Sequence, residues 1–404
     1  MIKTATGSWS LGALGVMAMV AVALMLDGLD AQMLGLAIPS LIAEWGVTRA
    51  DLTPVTAGSL VGMAIGATGG GWFGDRFGRR TGLIGSLLLF GAATAMASRV
   101  DALPAFGLLR SLAGLGLGAA LPNGTALIAE FTPARYRSVG ASIAMFSQPV
   151  GSLAAGLLAA ALIESLGWRG LFLIGGLAPL LVALVYLRTL PESPRFLEGH
   201  AVDGERASPK ALLAPALRRD SILLWLSGFM SLLALYTVLS WGPAMLASEG
   251  YPLALAGSVV ATFSLGGITG SVMVGVLARR IGSRATQGLI GGVGFTAALV
   301  LVLLFSVGKP PSQAVLALMA CIGFSAAGSQ TTLYVLSSHL YPTWLRGTGI
   351  GAMLGLGRLG AVASAWAGST ALDLGGAGAF YMLFALSIAV ATAGCMAISN
   401  QVRA

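Results

Sequence analysis

Again and again this chain is apolar for about twenty residues and then polar for only a few. A run of ~20 apolar residues crosses the ~30 Å hydrocarbon core of a bilayer as a helix. No water is available there, so each backbone N–H and C=O must bond within its own segment. Windows of this kind fall at about 12–39, 54–73, 81–98, 103–128, 138–163, 168–189, 220–247, 253–278, 286–307, 312–338, 347–371 and 377–398. The only long polar interval, about 190–219, holds Glu192, Arg195, Glu198, Asp203, Glu205, Arg206, Lys210, Arg218 and Arg219. The expectation is an all-α membrane protein of twelve transmembrane helices. A six-helix bundle over 1–189 and another over 220–404 would be joined by a cytoplasmic linker over 190–219.

Composition removes most other classes. Charged residues make up 9% of the chain, against roughly 25% in a soluble domain. The net charge of +8 comes from basic residues scattered through short loops, with no interleaved aromatic platform, so no nucleic-acid partner is expected. Cys321 and Cys395 lie in apolar stretches with no CxxC partner, which implies neither a disulfide framework nor a metal site. No P-loop and no Rossmann glycine run is present, which argues against ATP-driven transport and against a cofactor-dependent enzyme. No cofactor is expected. The first apolar segment is too long for a signal peptide and carries two aspartates, so none is expected.

Charge sets the expected orientation. With the N-terminus cytoplasmic, 17 of the 23 Lys and Arg residues lie inside, and Arg49, Arg99, Arg169 and Lys309 lie outside. Arg110 and Arg358 fall within spans. The positive-inside rule then puts both termini in the cytoplasm. The two halves also echo each other. Gly71-Trp-Phe-Gly-Asp75-Arg76-Phe-Gly78-Arg79-Arg80 is matched by Gly275-Val-Leu-Ala-Arg279-Arg280-Ile-Gly282-Ser-Arg284, 204 residues later. Glu130-Phe-Thr-Pro133-Ala-Arg-Tyr-Arg137-Ser-Val-Gly140 is matched by His339-Leu-Tyr-Pro342-Thr-Trp-Leu-Arg346-Gly-Thr-Gly349, 209 residues later. Repeats of this length are the mark of a duplicated transporter unit.

Asp27 and Asp30 stand inside the first apolar stretch. A carboxylate in hydrocarbon costs at least ~2.5–3.5 kcal/mol on insertion scales, so it is retained for a task and faces the protein interior. Three residues apart, the two share one side of a helix. Repulsion and desolvation both favour the protonated form, which makes the pair candidate proton carriers. The competing structural reading makes them permanently ionised caps at a helix break near Gly28.

The 71–80 segment meets in full the Gly-x-x-x-Asp-Arg-x-Gly-Arg-Arg signature, and on it the chain resembles the major facilitator superfamily over essentially its whole length. Asp27-Gly28-Leu29-Asp30 looks like the first-helix signature of the aromatic acid:proton symporters within it. Pro191-Glu192-Ser193-Pro194-Arg195, Arg110-x-x-x-Gly114-x-Gly116-x-Gly118 and Gly357-Arg358-Leu359-Gly360 are similar to runs found there. Leu224-Trp225 and Ser240-Trp241 look like the hydroxyphenylpropionate-carrying branch. The second copy of the loop signature departs from the first, with Arg279 in place of Asp75. The resemblance implies a monomeric carrier in a bacterial-type inner membrane. It would import a small aromatic carboxylate (hydroxybenzoate, benzoate or hydroxyphenylpropionate class) with protons.

On that reading Asp27 and Asp30 couple protons, and Arg358, Arg110, Gln32 and Gln330 are the candidate substrate ligands. Arg358 lies about eleven residues into its helix, roughly 16 Å deep at 1.5 Å per residue, and a guanidinium fork matches a carboxylate. Its alternative is a salt bridge to a first-helix aspartate. Arg110 has the same alternatives as Arg358, or supports proton transfer or helix packing. Asp75, Arg76, Arg79, Glu130, Arg137 and Arg346 are candidate cytoplasmic gate residues, with topology-setting charge as the plainer reading for the arginines. Asp75 is expected against the helix start that follows Arg346. His339 titrates in a useful range but sits at a loop. Phe146, Tyr236, Trp241, Phe324, Tyr334 and Trp366 are available to stack on a ring. Gln148 is a third embedded amide that can bond a phenol or another helix.

Two rival transporters of the same superfamily lack their marks. A drug or other organic-compound:proton antiporter carries a Gly-Pro step where this chain has Ser147-Gln148-Pro149-Val150-Gly151. A sugar porter carries a Gln-Gln pair that is missing from Leu223–Leu246.

Overall fold

The computed structural model describes residues 11–132, 137–197, 209–342 and 345–401. Among these, regular structure is helical throughout: α1 (Leu11–Trp45), α2 (Arg49–Phe77), α3 (Arg79–Ala97), α4 (Leu103–Phe131), α5 (Arg137–Thr189), the short α6 (Pro194–Leu197), α7 (Arg218–Ser248), α8 (Leu253–Val307), α9 (Ser312–Leu340) and α10 (Arg346–Met396). A 3-10 turn at Pro209–Leu213 precedes α7. Nine of the described helices are long and apolar enough to cross a membrane.

Three of the nine are two helical segments end to end. At 53, 55 and 51 residues, α5, α8 and α10 would each be ~80 Å long if straight, at 1.5 Å per residue. Each is interrupted by glycine with non-helical backbone: Gly167 in α5, Gly282 in α8, and Gly375 with Gly376 in α10. Glycine has no Cβ to clash at positive φ, so it turns the chain where any other residue would be strained. These turns fall in the gaps that hydropathy leaves at 164–167, 279–285 and 372–376.

Contacts divide the chain into two compact units: Met1–Val47 with Pro54–Gly204, and Thr48–Thr53 with Glu205–Ala404. Several of their interior contacts repeat at the offsets of the sequence echo. In the first unit a Cβ on Gly62, Gly66 or Gly114 would meet the backbone of Ser111, Leu115 or Ser59. In the second, Gly266, Gly270 and Gly323 stand in the same relation to Ala320, Phe324 and Phe263. Residues from α2 and α8 are 204 apart, and those from α4 and α9 are 209 apart. Gly151 against Met25 and Gly360 against Phe229 obey the same arithmetic. So do six of the seven positive-φ glycines: 46 with 250, 78 with 282, and 167 with 376. Duplicated backbone packing therefore underlies the duplicated motifs.

Close approach of this kind tolerates no side chain. Gly151→Ala is expected to cost at least about 1–3 kcal/mol, because its methyl falls on the Met25 carbonyl between two helices that would have to part. Gly15→Ala, with nothing within 4 Å, is expected to be neutral or to gain about 0.5–1 kcal/mol from helix propensity. Thermal scans of the two purified variants in one detergent test this contrast.

Candidate functional site

The helix α1 runs unbroken through Gly28, so Asp27 and Asp30 do not cap a helix break. Gly28 is instead a contact point. Its missing side chain admits the backbone of Gln148 on α5, just as Gly151 admits the Met25 carbonyl. That backbone-to-backbone packing brings the Gln148 side chain onto Asp27, where Nε2 donates to Oδ2. One turn further along α5, Ser152 Oγ donates to the Gly28 carbonyl at 3.2 Å.

Asp30 has different neighbours. Arg110 on α4 points Nη1 at Asp30 Oδ2 over 3.3 Å, and the same nitrogen lies 3.1 Å from Thr94 Oγ1 on α3. The guanidinium carbon stands 5.3 Å from the ring centre of Phe172 on α5, within cation–π range. Asp30 is 0% exposed and Arg110 1%. Two opposite charges are sealed together in a hydrophobic unit, and either one alone would be costly to keep there.

The aspartates thus do not act as one repelling pair, since each turns to its own partner. Sequence reasoning left Asp30 open between Arg110 and Arg358, and the partner is Arg110. It missed Thr94 and Phe172, which carry no motif. Gln148 was visible as a buried amide, although its target was not.

At the matching positions of the second unit the cluster is absent. Asp27, Asp30 and Arg110 correspond to Ser231, Ala234 and Met319, and Phe172 to Tyr381. There the Tyr381 hydroxyl meets Met319 Sδ at 3.6 Å, a weak neutral contact where the first unit has an arginine over a ring. In the other direction, Arg358 replaces Pro149, and Tyr236 replaces Gln32. Each unit has kept a charge that its counterpart lacks.

In the second unit Arg358 on α10 is half-buried. Tyr334 on α9 lies within electrostatic reach of both Arg358 and Tyr236 on α7. Gln330, one turn from Tyr334, is also half-buried, and its Oε1 is a buried acceptor with no donor. Gln32, in the first unit, is buried with its Oε1 in the same state. Of the other aromatic candidates, Trp241 is fully buried and donates Nε1 to the Ala365 carbonyl at 3.1 Å. It serves packing. Trp366 is 51% exposed.

The candidate gate residues of the first unit each have local partners. Arg79 pairs with Asp75 and donates Nη1 to the Gly71 carbonyl at 3.2 Å. Arg76 is exposed, lying over the rings of Trp72 and Phe77 at 5.6 and 5.8 Å. Glu130 accepts from the Ser193 hydroxyl. The side chains of Arg137 and Arg346 lie outside the described residues, and His339 is exposed.

Glu192 was read as part of a hydrated linker, yet it is seated on the first unit. Its Oε1 accepts from the backbone N–H of Arg80 and of Ser193, both at 2.9 Å. An anion at the first turn of α3 is favoured by the helix dipole. Ser193 Oγ accepts from Phe196 N–H at 3.2 Å, capping α6. Serine before a proline at the first helical position was the available signal.

A family model described as Major Facilitator Superfamily matches residues 20–365. The chain belongs to that superfamily. Within it, the chain falls in the aromatic acid:proton symporter family. It is 36% identical over 387 residues to the 4-hydroxybenzoate transporter PcaK of Pseudomonas aeruginosa, covering 87% of this chain and 84% of that one. It is 34% identical to the gallate transporter of Pseudomonas putida, over 86% and 83%. Against the 3-(3-hydroxy-phenyl)propionate transporter of Escherichia coli identity is 31%, over 87% and 85%. The crystal structure of a D-xylose-proton symporter superposes with a TM-score of 0.78 at 20% identity, covering 95% of this chain and 97% of that one. That last likeness speaks for the major facilitator fold alone. By family the chain is a membrane carrier and not an enzyme.

Proposed function

We propose that the protein is a proton-coupled importer of a small aromatic carboxylate, acting by alternating access as a monomer. The observation that carries this reading is the sealed Asp30–Arg110 pair of the first unit, with alanine and methionine at the matching positions of the second. Relatives at 31–36% identity that carry 4-hydroxybenzoate, gallate or hydroxyphenylpropionate support the substrate class. Counting each glycine-broken helix as two spans turns nine long helices into twelve. These would form two six-helix bundles, with a cytoplasmic linker around 190–219. The charge distribution supports two cytoplasmic termini in a bacterial-type inner membrane.

The coupling follows from the two groups' chemistry. A guanidinium keeps its charge under all physiological conditions, whereas a carboxylate can discard its charge by binding a proton. Protonation of Asp30 leaves Arg110 without a counter-ion in a dry site, which is unfavourable by several kcal/mol. That energy is available to drive a change of state. Asp27, held by Gln148, is the second proton-binding group. A carboxylate entering against an inside-negative potential loses ~2.3 kcal/mol per 100 mV, which one co-transported proton cancels. Arg358 and Arg110, with Gln32 and Gln330, are the substrate ligands proposed, Arg358 foremost. Asp75, Arg76, Arg79, Glu130, Arg137 and Arg346 would form the cytoplasmic gate, and Glu192 fixes the helix start behind Asp75.

Uptake of radiolabelled aromatic acids by cells expressing the full chain tests this reading. Accumulation is expected to collapse with a protonophore and to rise as the external medium is acidified. Uptake that stops on ATP depletion while the proton gradient is maintained would overturn it.

A further inference from the structure

Three helices of the second unit, α7, α9 and α10, pack on one another, with Tyr334 within electrostatic reach of Arg358 and Tyr236 and Gln330 one turn along α9 from Tyr334. Arg358 supplies the only one of these groups that is charged at neutral pH. Tyr334 and Gln330 are four residues apart on α9, so they rise one above the other on one face. Their spacing is about one helical turn, ~5.4 Å, comparable to a benzene ring with a substituent at each end. Tyr334 packs against the buried cluster that includes Leu333, Leu336 and Leu340.

Gln330 carries an unmet acceptor, as Gln32 does. Its Oε1 is buried and accepts no hydrogen bond, although buried acceptors in proteins nearly always have a donor. An amide oxygen can only accept, so what completes it must carry an O–H or N–H. A water can hold that place in the empty protein and yield it to a hydroxyl that makes the same bond.

We infer that Gln330 reads the ring hydroxyl of a phenolic acid whose carboxylate is held by Arg358 beside Tyr334. The second unit thereby selects aromatic acids hydroxylated away from the carboxyl group over unsubstituted ones. The inference rests on the aromatic-acid reading above and goes further by assigning a hydroxyl donor to a named acceptor. It also sets a geometry. A hydroxyl in the meta or para position stands far enough from the carboxylate to bridge that one-turn spacing, whereas one beside the carboxylate does not.

Competition against labelled 4-hydroxybenzoate in cells carrying the wild-type protein makes the first test. The competitors are 3-hydroxybenzoate, 2-hydroxybenzoate, benzoate and 4-methoxybenzoate. The methyl ether keeps the oxygen but has no proton to donate, so it is expected to compete about tenfold more weakly than the phenols, alongside benzoate and the 2-hydroxy acid. Gln330→Met keeps length and removes the acceptor. In it the ratio of hydroxybenzoate to benzoate uptake is expected to fall about tenfold, towards one. Equal competition by ether and phenol overturns the inference, as does an unchanged ratio in Gln330→Met. A variant that fails to reach the membrane leaves the wild-type series to decide. If no aromatic acid is taken up saturably, the aromatic-acid reading itself fails. Saturable uptake without preference for a hydroxyl sinks the present inference alone.

Discussion

Asp30→Asn is expected to abolish proton-driven accumulation and to destabilise the protein by ~3–5 kcal/mol, the cost of stranding a buried charge. The variant leaves Arg110, 1% exposed, without its counter-charge, beside Thr94 and the ring of Phe172. Its guanidinium cannot lose its proton to escape. Arg110→Met is expected to be less costly, because the carboxyl of Asp30 can neutralise itself by taking up a proton. The double variant Asp30→Asn, Arg110→Met removes both charges and should recover most of the stability, since a buried pair replaced by neutral groups is often no worse than the pair. It should not recover accumulation. Thermal scans in detergent and protonophore-sensitive uptake measure the two quantities separately. Asp30→Asn with undiminished gradient-driven accumulation would remove Asp30 from the coupling machinery.

How much of this was legible beforehand differs from residue to residue. The helical character and the duplication were written in the hydropathy and in the echo of 71–80 by 275–284, since both depend on local pattern. The turns at Gly167, Gly282 and Gly375–Gly376 were legible as gaps but not as glycine kinks. A gap in hydropathy says nothing about backbone conformation. Partner choice was not legible at all. Asp30 and Arg110 lie 80 residues apart, and a sequence with two intramembrane arginines offers no rule for choosing between them. What decided the matter was helix packing: α4 carries Arg110 to Asp30, while glycines at 28 and 151 bring α5 against α1 and put Gln148 on Asp27. The seat of Glu192 on the start of α3 was not legible for a related reason. A carboxylate in a polar stretch looks solvated until the helix start it caps is folded beside it.

The division of charge between the units bears on the second large expected effect. Arg358 has proline as its counterpart in the first unit, and Asp30 and Arg110 have no charged counterpart in the second. Duplicated packing with unshared charges is what a carrier needs if one repeat handles the proton and the other the anion. Arg358→Lys is therefore expected to weaken substrate affinity severely, by about tenfold to a hundredfold, although the charge is kept. Lysine lacks the planar fork that meets a carboxylate with two parallel hydrogen bonds. Alanine at 358 would silence the transporter whether the arginine binds substrate or merely braces the fold, so it cannot separate the two. Changing the ligand can. Methyl esters and amides of the substrate acid lack the anion and should compete poorly with wild type. In Arg358→Lys the gap between acid and ester should shrink, because the same interaction is being removed from its other side. If the variant loses acid and ester recognition in equal measure, Arg358 is a structural residue. The carboxylate would then have to be sought at Arg110, where Asp30 already holds the guanidinium and an arriving anion must compete with it.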